Sequence, residues 1–239
     1  MTVVTRRSTQ WLVLAALLLS LLSGPASPPA AHVAAQQPPV VISEIRIDQS
    51  GADSDEYFEL AGSPGTSLDG LTYIVLGDGL VGSGVIEAVV PLTGRTIPSS
   101  GFFVVAEGTF TLGTANLTEQ LNFENSDNVT HLLVQGFTGT DGRDLDIDDD
   151  GVLDETPWAA VIDKIALIVQ DNPPTGTEYH YGPPTVGPDG QYVPGHAYRC
   201  GATWLVGVFE IGVTDTPGAP NPCQIADLAP VVMSTTPAS

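Results

Sequence analysis

The chain has 239 residues, with 28 acidic and 7 basic side chains, so its formal net charge is −21 at pH 7. Nucleic acid binding by phosphate neutralisation needs a basic face, and so few basic residues cannot form one. With two cysteines, the chain also lacks the closely spaced ligands of a cysteine-based zinc site.

The N-terminus has the pattern of an export sequence. Two arginines precede an apolar run from Trp11 to Leu22, and a stretch rich in Gly, Pro, Ala and Ser follows. Such a run is too short to span a bilayer and is typical of a secretory signal peptide. We predict a signal peptide over residues 1–35, cleaved after Ala35, with Ala31 as the alternative. We therefore expect the mature chain to be secreted or held at the cell surface, with no transmembrane segment.

After residue 37 the sequence predicts an all-β protein. Short segments rich in Val, Ile, Tyr and Phe alternate with Gly, Pro, Ser and Asp, and no dozen residues keep a helical period with caps. Strands without intervening helices favour a β-sandwich or a barrel. The predicted strands are Val40–Asp48, Glu56–Gly62, Leu71–Asp78, Gly84–Leu92, Gly101–Glu107, Asn128–Gly136, Val161–Val169 and Trp204–Phe209.

Carboxylates in these strands are weak candidates for catalysis. In the first strand, strict alternation places Ile42, Glu44 and Arg46 on one side and Ile45 on the other. Glu44 and Glu59 would supply the two carboxylates of a glycosidase, but as outward positions of alternating strands they are interpreted as surface side chains. No motif for a nucleophile or a phosphate-binding loop is present. The sequence therefore predicts no catalytic residues, and we do not expect an enzyme.

The histidines give little support to a catalytic site either. His131 lies inside a predicted strand and is interpreted as a strand-face residue rather than a ligand. His180 and His196 flank a Pro-rich stretch and could converge on one site, although loop histidines beside tyrosines are commonly only hydrogen-bonded.

The most informative segment is DLDIDDDGVLDE, from Asp144 to Glu155. It fits the pattern D-x-D-x-D-G-x-x-D, in which alternate carboxylates on a tightly turning loop supply the converging oxygens that Ca²⁺ requires. The position of the bidentate Glu of an EF-hand holds Pro157, so the segment resembles the calcium loops of thrombospondin type-3 and dockerin-like repeats instead. The predicted ligands are Asp146, Asp148, Asp150, Val152 and Asp154.

Two interpretations of this acidic loop remain open at the level of sequence. It either holds a metal ion or stays open and solvated, since its carboxylates repel one another without a cation. If it binds Ca²⁺, the affinity expected for such extracellular loops is weak, with a dissociation constant of roughly 10⁻⁴–10⁻³ M.

The C-terminal third differs in composition. Residues 171–199 are dense in Pro, Gly and Tyr and are predicted to form an ordered loop excursion. Cys200 and Cys223 are expected to form one disulfide in an exported chain, worth roughly 3 kcal/mol in the chain-entropy model. We predict one domain over residues 36–223. Residues 224–239 resemble the opening of a bacterial immunoglobulin-like repeat and are predicted to be a linker.

The stretch from Val40 to Gly79 resembles the bacterial lamin-tail domain. The matching residues are ISEI at Ile42–Ile45, DEYFEL at Asp55–Leu60 and LDGL at Leu68–Leu71, where Leu71 replaces a frequent Trp. Two later segments, Ile97–Glu107 and Asp148–Ile168, resemble further blocks of that family, and the match covers residues 40–169. The resemblance implies an immunoglobulin-like β-sandwich that is not itself an enzyme and that occurs beside secreted nucleases, phosphatases and surface-anchored modules.

Three functional hypotheses follow. The first is an exported non-catalytic domain that tethers or presents an unknown protein or glycan partner, with Ca²⁺ as a structural brace. The second is the N-terminal accessory segment of a larger secreted nuclease or phosphatase. The third is a carbohydrate- or surface-binding module, since aromatic side chains stack on sugar faces. Its candidate platform consists of Trp158, Tyr179, Tyr181, Tyr192, Tyr198 and Trp204.

Overall fold

The computed structural model describes residues 40–79, 82–171 and 178–223. The predicted signal peptide and the predicted linker lie outside these residues. The described part contains no α-helix, and none that could cross a membrane. Its strands are β1 (Val40–Arg46), β2 (Tyr57–Gly62), β3 (Leu71–Gly77), β4 (Val85–Pro91), β5 (Phe102–Ala106), β6 (Leu117–Thr118), β7 (Val129–Gln135), β8 (Ala160–Leu167), β9 (Thr185–Val186), β10 (His196–Cys200) and β11 (Thr203–Val206).

These strands form two sheets. The first has the order β11-β10-β1-β2-β5-β6 and the second the order β4-β3-β7-β8-β9. The pairings are antiparallel, except that β6 runs parallel to β5 and β9 runs parallel to β8. Because the chain passes from one sheet to the other several times, the ends of each sheet bring together residues that are far apart in sequence.

A hydrophobic core joins the two sheets. Ile45 and Phe58 of the first sheet are fully buried in the same cluster as Tyr73 and Leu133 of the second. The rings of Phe58 and Tyr73 stack with their centroids 3.6 Å apart, an arrangement worth about 0.5–1.5 kcal/mol beyond the area it buries. This shared core makes the protein a β-sandwich and confirms the predicted all-β fold class.

A β-bulge in β1 changes which residues face this core. The pairing with β2 shifts register between Ile42 and Glu44, so that Ser43 is an extra residue. Ile42 consequently joins Ile45 in the core, while Glu44 faces the opposite side. The prediction of strict alternation, which placed Ile42 and Glu44 on one face, was wrong for this reason.

The Pro-rich stretch contributes more than a loop. Its last residues begin β10, which pairs with β1 through Glu44 and Tyr198, and Thr185–Val186 forms β9 at the edge of the second sheet. Cys200 at the end of β10 is bonded to Cys223, with their Cα atoms 5.4 Å apart. The predicted disulfide is thereby confirmed, and the segment it encloses is fastened to an inner part of the first sheet.

Candidate metal centre

The acidic loop lies on the outer face of the second sheet. Leu145 is fully buried there in a cluster with Ile74 and Leu132, and Leu153 and Trp158 pack against the same cluster. The loop is attached to β4 because Ile86 donates its amide to the carbonyl of Arg143. The acidic loop therefore covers this part of the second sheet. Its leucines pack on the sheet, and most of its carboxylates are exposed to solvent.

Asp146 is the buried carboxylate of this loop. One of its oxygens accepts the amide of Gly151 at 2.9 Å and the hydroxyl of Tyr181 at 2.8 Å, and the other accepts the amide of Asp150 at 3.2 Å. Gly151 has a φ of +85°, a conformation that favours glycine. The loop thus turns tightly around Asp146, as the position of Gly in the motif predicts.

Three of the five predicted ligands come together. One carboxylate oxygen each of Asp146, Asp148 and Asp154 lies within 4.8 Å of those of the other two. Asp150 is not in this group and instead accepts the amide of Val152 at 2.9 Å. The remaining predicted ligand, Val152, is 66% exposed to solvent.

The negative charges of the acidic loop repel one another. The charge of Asp150, followed by slight desolvation and the charges of Asp154 and Asp146, raises the pKa of Asp148 above its ordinary value. Among the described residues of this region, Arg143 forms an ion pair with Glu155. This pair includes none of the three converging carboxylates.

Two contacts that fix the loop were not foreseen from the sequence. Tyr181 binds Asp146 with its hydroxyl, and Ser83 donates its amide to Asp149 at 2.8 Å. Both residues lie outside the motif, and Tyr181 was considered only as part of an aromatic platform. A Tyr that is surrounded by prolines and glycines carries no pattern that would indicate this contact.

A buried polar network lies on the outer face of the first sheet and corrects another prediction. Glu44 and Glu59 do face outward, but both are fully buried rather than exposed. The segment from 208 to 221 covers them: Thr216 donates its amide to Glu44 at 2.9 Å, and Gly218 donates its amide to Glu59 at 2.6 Å. The error arose because strand alternation says nothing about a later segment that packs on the outer face.

The network is balanced by basic side chains. Arg46 binds both oxygens of Asp215, at 2.6 and 2.7 Å, and Nε2 of His196 lies 2.9 Å from Glu44. Burial alone would raise the pKa of Asp215, but the hydrogen bonds from Arg46 and the neighbouring His196 bring it below its ordinary value. One atom each of Glu44, His196 and Asp215 also lies within 4.8 Å of the other two, but here Arg46 already supplies the positive charge that a metal ion would bring.

The other histidines have separate environments. His131 is fully buried, with Nδ1 2.8 Å from the hydroxyl of Tyr73, and burial lowers its pKa to about 3. Nε2 of His180 lies 3.1 Å from Asp171. His180 and His196 therefore have different partners, and no contact between them is present in the described part of the chain.

The six aromatic residues do not share an exposed face. Trp204, Tyr181 and Tyr198 are buried, and Trp204 lies beneath the guanidinium of Arg199 at 5.0 Å. Tyr192, in contrast, is 67% exposed. A continuous stacking platform of all six side chains is excluded by this burial.

Fold and site together define a class: an all-β sandwich with a cover loop in which three carboxylates converge. Comparison with protein-family models, with curated proteins and with solved structures finds no match for this chain.

Proposed function

We propose that this chain is an exported, non-catalytic, immunoglobulin-like β-sandwich of the lamin-tail type with a structural, tethering or binding role, and that residues 144–155 hold a structural Ca²⁺. One observation carries the proposal of a metal: oxygens of Asp146, Asp148 and Asp154 lie within 4.8 Å of one another. A divalent cation between them would convert mutual repulsion into attraction, and carboxylate oxygen is the ligand that Ca²⁺ prefers.

The place of the loop suggests what the ion would do. Leu145, Leu153 and Trp158 cover an apolar part of the second sheet. If the carboxylates pushed the loop open, this apolar surface would be exposed to water at a cost of about 25 cal/mol per Å². A bound Ca²⁺ would therefore act as a brace that keeps the cover closed, and Asp148 and Asp154, which are exposed, would let the ion enter from solvent.

The proposal is tested by thermal melts of the full chain in EDTA and across a Ca²⁺ series. We expect the melting temperature to rise with Ca²⁺, because an ion that binds only the folded state stabilises it by about 2.7 kcal/mol at a hundredfold excess over Kd. The double variant Asp148→Asn/Asp154→Asn should lose most of this rise. It spares Asp146, whose hydrogen bonds hold the loop.

A matched control removes two exposed carboxylates elsewhere. Glu119→Gln/Glu210→Gln changes the net charge equally but leaves the loop intact, and it should keep the full response to Ca²⁺. The proposed metal is refuted if the wild type shows no shift up to several millimolar Ca²⁺, roughly the top of the extracellular range.

A second candidate function, glycan binding, is favoured by one feature. Tyr192 projects into solvent beside a cleft of about 340 Å³ that is also lined by Asp48, Asn125 and Phe209. An exposed ring next to carboxylate and amide groups is a combination that suits a sugar. Retention on a polysaccharide that is lost in Tyr192→Ala but kept in Tyr192→Phe would support it, and no retention of the wild type on any polysaccharide tested would count against it.

A further inference from the structure

The last described segment of the chain forms a strap over the outer face of the first sheet. This C-terminal strap, residues 208–221, contains no helix and no strand. None of its residues belongs to the hydrophobic clusters of the described chain, and Val208, Ile211 and Val213 are exposed to solvent. Polar contacts therefore hold most of the strap in place.

Two residues of the strap bind carboxylates of the sheet. Thr216 donates its amide to one oxygen of Glu44 at 2.9 Å and its hydroxyl to the other oxygen at 3.0 Å. Gly218 donates its amide to Glu59 at 2.6 Å. The charge of these two carboxylates consequently affects how firmly the strap is bound.

The disulfide between Cys200 and Cys223 lies just beyond the strap. If the polar contacts break, this covalent bond still holds the end of the strap at β10. Segments with few buried apolar contacts open locally at a lower free energy than a hydrophobic core. The strap can therefore open and close again while the two sheets stay folded.

The two carboxylates beneath the strap lie opposite each other on neighbouring strands. Glu44 of β1 and Glu59 of β2 are direct partners in the antiparallel pairing, and both are fully buried. Residues paired in this way have their Cβ atoms about 4.5–5.5 Å apart, and like charges there are destabilising. Two ionised carboxylates at this place repel each other strongly, because the strap excludes water from them.

The basic side chains nearby already have other partners. The titratable groups of the network around Glu59 are Glu44, Arg46, Tyr57, His196 and Asp215. Arg46 binds Asp215, and His196, which is charged only if protonated, binds Glu44. No ion pair among the described residues includes Glu59.

The surroundings of Glu59 favour a neutral carboxyl group. Its Oε1 is buried and has no hydrogen-bond partner among the described residues, and its partner on β5 is the uncharged Val104. Burial raises the pKa of Glu59 to about 8, with help from the charge of Glu44. The amide of Gly218 and the hydroxyl of Ser43 act in the opposite direction without cancelling this rise.

We propose that the C-terminal strap is a pH-dependent cover, which is closed while Glu59 carries a proton and opens when that proton is lost. A neutral Glu59 lies beside Glu44 without repulsion. Loss of the proton places two like charges opposite each other, and opening of the strap relieves their repulsion by admitting water. The disulfide keeps the open strap attached, so the change is reversible.

The direction of the pH dependence follows from the proton on Glu59. Under the open strap Glu59 meets water and has its ordinary pKa of 4.5, whereas the closed strap raises this pKa to about 8. The stabilisation of the closed state is therefore fully present below pH 4.5 and is lost as pH rises to about 8. Within this window the equilibrium constant for opening increases by at most about tenfold per pH unit.

Hydrogen exchange of the full chain, with its disulfide intact and in EDTA, tests the proposal. The amides of Val208, Thr216 and Gly218 report on the strap, because each has an acceptor in the closed state. After correction for intrinsic exchange, their protection should fall by about tenfold or more between pH 5 and pH 8. At each pH they should be at least about tenfold less protected than the amides of β7, which report on opening of the core.

Glu59→Gln separates the proton from the shape of the side chain. Its amide oxygen can still accept the amide of Gly218, but the side chain does not titrate, so protection of the strap should stay nearly constant from pH 5 to pH 8. Glu119→Gln removes an exposed carboxylate elsewhere and should keep the pH dependence of the wild type. Protection of the β7 amides shows whether each variant is folded.

Three results would overturn the proposal. Strap protection in the wild type that does not change between pH 5 and pH 8 would exclude a pH-dependent cover, whether or not the variant folds. An unchanged pH dependence in Glu59→Gln would assign the effect to another group, such as His196. Equal protection of the strap and of β7 at every pH would mean that the strap opens only when the whole protein unfolds.

Discussion

Two groups of carboxylates in this protein differ in whether basic side chains lie among them. On the first sheet, Glu44 and Asp215 contact His196 and Arg46. At the end of the second sheet, Asp78, Glu87 and Glu124 converge and form no ion pair among the described residues. Burying ionised groups is unfavourable unless they are paired. The difference shows that the chain supplies positive charge to the first group, whereas its described residues supply none to the second.

The largest effect on stability is expected from a variant that leaves a carboxylate of the first group without its basic partner. Arg46→Met keeps the apolar part of the side chain but leaves Asp215 buried without its partner. Breaking a buried ion pair from one side costs about 3–5 kcal/mol. We expect a loss of this size in the free energy of unfolding, measured by urea denaturation in EDTA so that bound metal does not contribute.

A surface arginine provides the control for this prediction. Arg95 is exposed, and Arg95→Met should change the free energy of unfolding by no more than about 0.5 kcal/mol. A loss below about 1 kcal/mol in Arg46→Met would mean that the network of the first sheet is not held by its charge pairing, and the contrast with the second sheet would disappear.

A smaller effect, spread over pH, should come from Glu59, the carboxylate at the edge of the balanced network. Its Oε1 has no hydrogen-bond partner among the described residues. Burial raises the pKa of Glu59 to about 8, against the amide of Gly218 and with help from the charge of Glu44. The folded state therefore holds a proton that the unfolded state releases above its ordinary pKa of 4.5.

The sign of the pH dependence follows from that difference. Between pH 4.5 and about 8 the folded chain binds more protons at Glu59 than the unfolded chain, so this group makes the free energy of unfolding fall as pH rises. The slope is at most about 1.4 kcal/mol per pH unit. Glu59→Gln should reduce the wild-type slope in this window, as measured by urea denaturation at several pH values. Parallel curves for the two proteins would contradict the assignment.

Much of the fold was predictable because its evidence is local. The eight predicted strands all occur, since β-branched and aromatic residues between turn-forming residues report directly on strand structure. The convergence of Asp146, Asp148 and Asp154 was also predictable, because one turn of chain contains all three. Of the other predicted ligands, Asp150 caps the loop by accepting an amide instead of joining the three.

The remainder depended on contacts between distant parts of the chain. Nothing near Asp78 in sequence indicates that Glu87 and Glu124 will lie beside it, and nothing near Glu44 indicates that Thr216 will cover it. The sequence likewise does not indicate the bulge at Ser43. This bulge moves every later residue of β1 to the face opposite the one that strict alternation from Ile42 predicts. Such features are set by packing, which a pattern within one segment does not contain.

The pairing of β1 with β10 also has a consequence for the order of folding. Glu44 and His196 are separated by 152 residues, and their strands are adjacent in the middle part of the first sheet. Closing so long a stretch of chain is entropically costly and is associated with slow folding. Until the last strands arrive, β1 has an open edge toward β10. Refolding rates should therefore be limited by the capture of the C-terminal strands rather than by formation of the β1–β2 or β3–β4 hairpins.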